Sequence, residues 1–212
     1  MGSLNVVCPL PTSLTAITAV ACPEKFGQIQ RIALRINPGT SDTVFTAAAD
    51  IIDATKWTTA MAASDVTKIV VTPFISSLVI PPGDIIAEEG NNNNTVNGIP
   101  IVNGIQNVHV TGRFLNLTTA IAELMRGLTP YTILTPGFTK LEAFFFNEFG
   151  QIIRDKSGTR PKGFPVYNLV VPSVGSEGLN KPNVHNLAFD LIGGWDKYLT
   201  IDTPITFNPL NF

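Results

Sequence analysis

Apolar and polar positions alternate along much of this chain, and the alternation has a period of two more often than the three-to-four of a helix. Over residues 31–36, Ile32, Leu34 and Ile36 face one way and Arg31 and Arg35 the other. That pattern predicts a half-buried strand, closed by the turn Asn37-Pro38-Gly39. Residues 67–72 read as a strand stopped by Pro73, with 108–111 as a candidate partner. Helical spacing occurs twice. Asp53 caps a predicted helix over 54–63, with Trp57, Ala60 and Met61 on one face. A second helix carries Leu117, Ile121, Leu124 and Met125 as its apolar stripe, and Gly127 sits where a left-handed cap would end it. Downstream, residues 141–146 and 151–154 flank Asn147-Glu148-Phe149-Gly150 as a hairpin, and further strands are expected over 166–171, 187–191 and 198–201. Many short strands with turns between them and few helices predict a mainly β fold, a β-sandwich or partly open barrel with about two flanking α-helices. The proline-punctuated residues 1–25 are expected to form an extended N-terminal segment, and 26–212 a single β-rich domain.

Between the strand at 67–72 and the one at 108–111 lies an excursion longer than such a domain needs, over residues 81–104. Its middle, Glu88-Glu89-Gly90 followed by four asparagines, cannot bury enough apolar surface to order itself, yet it is flanked by Ile85, Ile86, Ile99 and Ile101. These four isoleucines are the expected anchors of an arm that docks on a neighbour; the plainer alternative is a hairpin folded back on its own domain. Asn97-Gly98 and Asn103-Gly104 supply turn chemistry, so at least one of them should be a turn.

Composition supports a surface that is covered in use. Only 14% of the 212 residues are charged and 44% are hydrophobic, with a formal net charge of -2. A free-standing nucleic-acid binder would show a basic face, which this balance does not provide. No run approaches the ~18 apolar residues of a membrane-spanning helix. The apolar run ending at Cys22 has no Lys or Arg before it, so it lacks the positive start of a signal peptide and implies cytosolic synthesis. Cys8 and Cys22 are the only cysteines and are expected to be free thiols.

No catalytic, cofactor or metal constellation emerges. His109 alternates with Val108 and Val110, which places it on the polar face of a strand, and His185 beside Asn183 and Asn186 reads as a loop hydrogen-bonder. Glu88 and Glu89 lack the spaced carboxylates of a calcium loop. Phe144, Phe145 and Phe146 are more telling. Alternate residues of a strand share a face, so Phe145 belongs to the core while Phe144 and Phe146 imply a second covered face, packed on a helix or on another subunit. Phe144 and Phe146 therefore join the candidate subunit interface.

Several segments together resemble virion structural proteins of tailed phages that infect Bacteroidetes, including crAss-like phages. They are Trp57, residues 65–73, Pro81-Pro82-Gly83, Asn97-Gly98-Ile99-Pro100, residues 146–153 and Trp195. Within that group the chain is most similar to ring-forming tail components of the tail-tube or tail-terminator kind. The resemblance implies a non-enzymatic subunit, without cofactor, in a homo-oligomeric ring of twelvefold or sixfold symmetry in the virion tail, assembled in the host bacterial cytoplasm. It implies contact with an adjacent tail ring and with portal, adaptor or hub proteins, non-specific passage of genomic DNA, and no membrane. A capsid auxiliary, decoration or head-fibre-anchoring protein would share the low charge, β structure and extended termini; a hydrolase or small-ligand binder is the rival of a different class.

Overall fold

A computed structural model describes residues 26–39, 42–90, 99–133, 141–176 and 178–212. The expected N-terminal segment, with Cys8 and Cys22, lies outside the described residues, as does Asn97-Gly98.

The fold is mainly β, with two antiparallel sheets face to face. The first sheet has the order β13 (Leu199–Asp202), β8 (Ile152–Asp155), β7 (Leu141–Asn147), β1 (Ile29–Ile36), β2 (Ile69–Val71), with the short β9 (Phe164–Pro165) also pairing β7. The second runs β10 (Tyr167–Val170), β12 (Asn183–Leu191), β6 (Val108–Leu115), β3 (Ser77–Val79), with β11 (Gly175–Ser176) on β12. A separate two-stranded ribbon, β4 (Ile85–Glu88) and β5 (Ile101–Ile105), pairs with neither sheet. The helices are α1 (Ala54–Ala62), α2 (Thr119–Arg126) and the one-turn α3 (Pro130–Ile133).

Period-two alternation builds the main core. Ile32 and Leu34 of β1, Leu141, Ala143 and Phe145 of β7, and Ile153 of β8 meet Val110 and Phe114 of β6 and Leu187, Phe189 and Leu191 of β12. Strand β6 is strictly buried and exposed in turn, as a sheet with one wet face requires. Strand β7 is different, because all seven of its residues are buried. Its odd face belongs to the sandwich, and its even face belongs to a second core.

That second core joins Phe144, Phe146, Ala33 and Ile152 to Trp57 and Ala60 of α1 and to Phe45 and Ile51 of the preceding segment. Trp57 is its centre: the ring lies 5.0 Å from Phe45 and 5.4 Å from both Phe144 and Phe146, and it stacks on Phe212 at 5.8 Å. Its indole N–H donates to the Ile51 carbonyl at 2.8 Å, so the polar edge is satisfied as well. Helix α1 starts where predicted, with the Asp53 carboxylate accepting from Thr55 N.

Several expectations are corrected. Strands β2 and β6 are not partners: β2 pairs β1 and β6 pairs β12 and β3, in different sheets. Arg35 does not face water. Its guanidinium is buried and donates to Asp42 at 2.7 Å and to Glu142, over the rings of Phe45 and Phe144. Helix α2 has its Thr118 cap, but Gly127 is right-handed, and Leu124 is 73% exposed while Ala122 and Met125 face the core. Asn103-Gly104 is not a turn; it lies within β5, where the register with β4 shifts. His185 is not in a loop but buried in β12, and its Nδ1 has no hydrogen-bond partner.

Candidate subunit interface

The arm is a ribbon standing off the sandwich. Ile85 pairs with Ile105, Ile86 with Gly104, Ala87 with Val102 and Glu88 with Ile101, the shift between Ile86 and Ala87 leaving Asn103 as the extra residue. Its apolar side chains are wet: Ile85 is 64% exposed, Ile86 44%, Ile99 65%, Ile101 42%, Val102 63% and Ile105 50%. Ile85, Ile86 and Ile101, named from the sequence, lie on this ribbon, and Ile99, two residues before β5 begins, is exposed as well. Val102, part of the apolar flank 99–102 in the sequence, and Ile105, which was not named, are exposed with them; their spacing of three hides the shared face, which exists only because Asn103 is the extra residue of the shift.

Phe144 and Phe146 do not join this surface. Both are fully buried under Trp57, Phe45 and Phe212 of the same chain. Of the two covers expected for that face, the structure supplies the helix, and a side chain with no accessible surface cannot contact another subunit.

The root of the arm is held tightly. Gln106 N donates to the Asp84 carbonyl at 2.8 Å, and Gly193 N donates to Asn107 Oδ1 at 3.1 Å. Gly193 has to be glycine, since a Cβ there would collide with the Ile105 carbonyl. Beside this root lies a cavity of about 560 Å³ between the arm and the sandwich, lined by Phe26, Ile80, Pro81, Pro82, Ile105, Trp195 and Leu199 among others. Asp196 is the charged residue on its wall.

Comparison of the chain with protein-family models, with curated proteins and with solved structures gives no match. The reading of the surface therefore rests on its own chemistry. Among the described residues no group of three His, Cys, Asp or Glu is placed to hold a metal ion. His109 lies on the exposed face of β6, as expected, where its Nδ1 is 2.7 Å from Asp190 Oδ1 and Asn168 donates to the other carboxylate oxygen at 2.6 Å. This pair stands on the exposed face of β6. Among the described residues, no helix is long and apolar enough to cross a membrane. What the arm can do is bury apolar surface against something else.

Proposed function

We propose that the chain is a non-enzymatic structural subunit of a virion, one of several copies forming a ring in a phage tail around the path of the leaving genome. The carrying observation is the projecting ribbon with exposed isoleucines on it. An apolar patch of this kind on a secreted or cytosolic monomer is an aggregation hazard, whereas on an assembly subunit it is a joint. The tail assignment comes from the sequence resemblance; the arm supports the assembly. Lateral contacts would use the strands that end the sheet orders, β2 and β13 of the first sheet and β3 of the second, since an edge strand is a template for pairing with another chain. The arm would then reach the next ring. A net charge of -2 suits a conduit along which DNA slides without sticking.

The test is to replace residues 83–103 by a short linker and image the product by electron microscopy. The expected result is folded rings that no longer stack. A chain that fails to fold would place the arm within its own subunit's structure, and stacking that survives would refute the arm's role. Symmetry distinguishes the sites in the virion: sixfold or twelvefold rings fit a tail, and threefold clusters would move the protein to the capsid as a decoration.

A further inference from the structure

The first described residue of the chain stands in the wall of a cavity. Phe26 lines the recess of about 560 Å³ at the arm root, together with Pro82, Ile105, Trp195 and Leu199. The Trp195 ring meets Phe26 edge-on at 6.2 Å, and it is braced from the main core by Phe164 at 4.9 Å and Phe145 at 6.2 Å. It stays half-buried, so part of the indole is left to the recess. The backbone at this point is fixed. The Phe26 carbonyl accepts from Asn147 Nδ2 at 3.1 Å, Gln28 N donates to Glu148 at 3.1 Å, and Gly27 turns at a φ of +66°, with the Phe149 ring where a Cβ would lie. Whatever precedes Phe26 therefore joins the fold at this wall.

Residues 1–25 precede it, and their chemistry suits the recess. Between Met1 and Glu24 there is no Asp, Glu, Lys or Arg, and Ile17, Val20 and Cys22 alternate with small residues just ahead of Pro23. An apolar stretch of this kind gains by leaving water. Asp196 is the charged residue of the recess; it is exposed and keeps its water when an uncharged stretch seats beside it. Glu24 and Lys25 cancel, so no net like charge opposes the approach. A recess of 560 Å³ is about 8 Å across, the span of two or three extended residues. Cys22 lies four residues before Phe26, and a tether that short holds it at an effective concentration on the order of mM, which a separate copy or a dilute ligand would have to exceed.

We propose that Val20, Ala21 and Cys22 seat in the arm-root cavity of their own chain, over Trp195 and against Ile105. The seat lies within one molecule and stands apart from ring assembly. Ile105 is also the last residue of β5, so the same contact ties the N-terminal segment to the arm. Covering the recess removes Phe26 and Trp195 from water and braces the arm where it leaves the sandwich.

Cys22 makes the seat testable in the full chain, since Cys8 and Cys22 are its only cysteines. Cys8→Ser leaves Cys22 alone, and Cys22→Ser leaves Cys8. Dithiobis(nitrobenzoate) is expected to label Cys22 at least ~10-fold more slowly than Cys8 in the folded protein, and at the same rate in urea. Equal rates in the folded protein overturn the inference. Adding Pro82→Cys to Cys8→Ser puts a second thiol on the exposed rim of the cavity, and adding Leu179→Cys instead puts one in an exposed loop at the opposite end of β12 from Gly193. Mild oxidation should link Cys22 to the first position within one chain, seen as a faster-migrating monomer on a non-reducing gel, and should leave the second unlinked. A disulfide-linked dimer at the first position gives the cavity to a neighbour's segment and overturns the proposal. No link there, or equal linkage at both positions, overturns it as well.

Discussion

Replacing Arg35 by leucine tests whether the ion cluster between the two cores is needed as a unit. The guanidinium is buried and touches the carboxylates of Asp42 and Glu142, whose side chains are equally buried, and it donates to the Pro161 carbonyl at 3.3 Å. Taking away this guanidinium removes the buried cation that bonds both carboxylates, and breaking a buried ion pair in this way costs about 3–5 kcal/mol. The loss of two cation–π contacts at 5.2 Å adds roughly 0.5–2 kcal/mol. A domain has about 5–15 kcal/mol in total, and the combined cost of about 3.5–7 kcal/mol should lower the melting temperature by roughly 7–28 °C. Urea unfolding followed by tryptophan fluorescence measures the change, with an unchanged slope on denaturant marking a true stability effect. The double variant Arg35→Leu/Glu142→Leu should recover at least half of the loss, because Asp42 keeps its bonds from Val44 N and Phe45 N at 3.0 Å. A single variant costing under about 1 kcal/mol, or a double variant worse than the single, would refute the reasoning.

Trp57→Ala should cost about 3–5 kcal/mol and Trp57→Phe clearly less, read by the same unfolding curves, because only the alanine empties the centre of the second core. Burial raises the Glu142 carboxyl above its ordinary value of 4.5 against the pull of Arg35. A raised folded value favours the neutral acid, so the stability that Glu142 contributes is full below about pH 4.5 and is lost as pH rises through the folded value. The wild type minus Glu142→Gln difference in unfolding free energy, measured from pH 4 upward, should therefore decline; a flat or rising difference contradicts this. Gly163→Ala should destabilise by about 1–3 kcal/mol, since its Cβ would lie 2.6 Å from the Ala143 carbonyl oxygen, a backbone atom of β7, just before β9 pairs with that strand; a neutral melt would be the contrary result.

Local rules made much of the architecture readable. Period-two alternation identified β1, the hairpin of β7 and β8, and the wet face of β6; the Asp53 cap identified α1. Register between distant strands is not local, and that is why β2 was matched to the segment 108–111: nothing in either stretch says which sheet it joins. Arg35 was read as a solvent residue because a charge normally marks the wet side of a strand. Its partners Asp42 and Glu142 lie on other segments, and only the fold shows that they meet. The run of three phenylalanines did announce a strand covered on both faces, but not by what. The arm's exposed isoleucines were legible because isoleucine beside asparagine is an anomaly, whereas the cavity at its root gathers residues as far apart as Phe26 and Trp195, a gathering the order of residues does not reveal.

Strand β7 belongs to both cores at once, and this sets the order of events when the chain folds. Its register partner β1 lies more than a hundred residues earlier, with Ile32 opposite Phe145, so neither core can close until that distant pairing is made. Until then the segment Leu141–Asn147, with its three adjacent phenylalanines, can pair locally only with β8 and the short β9, and the edge that β1 will cover is a β-prone stretch carrying one charge. Folding should be slow for the chain's size, and crowded synthesis should drive the newly made chain into aggregates through β7 before the arm has any part to play.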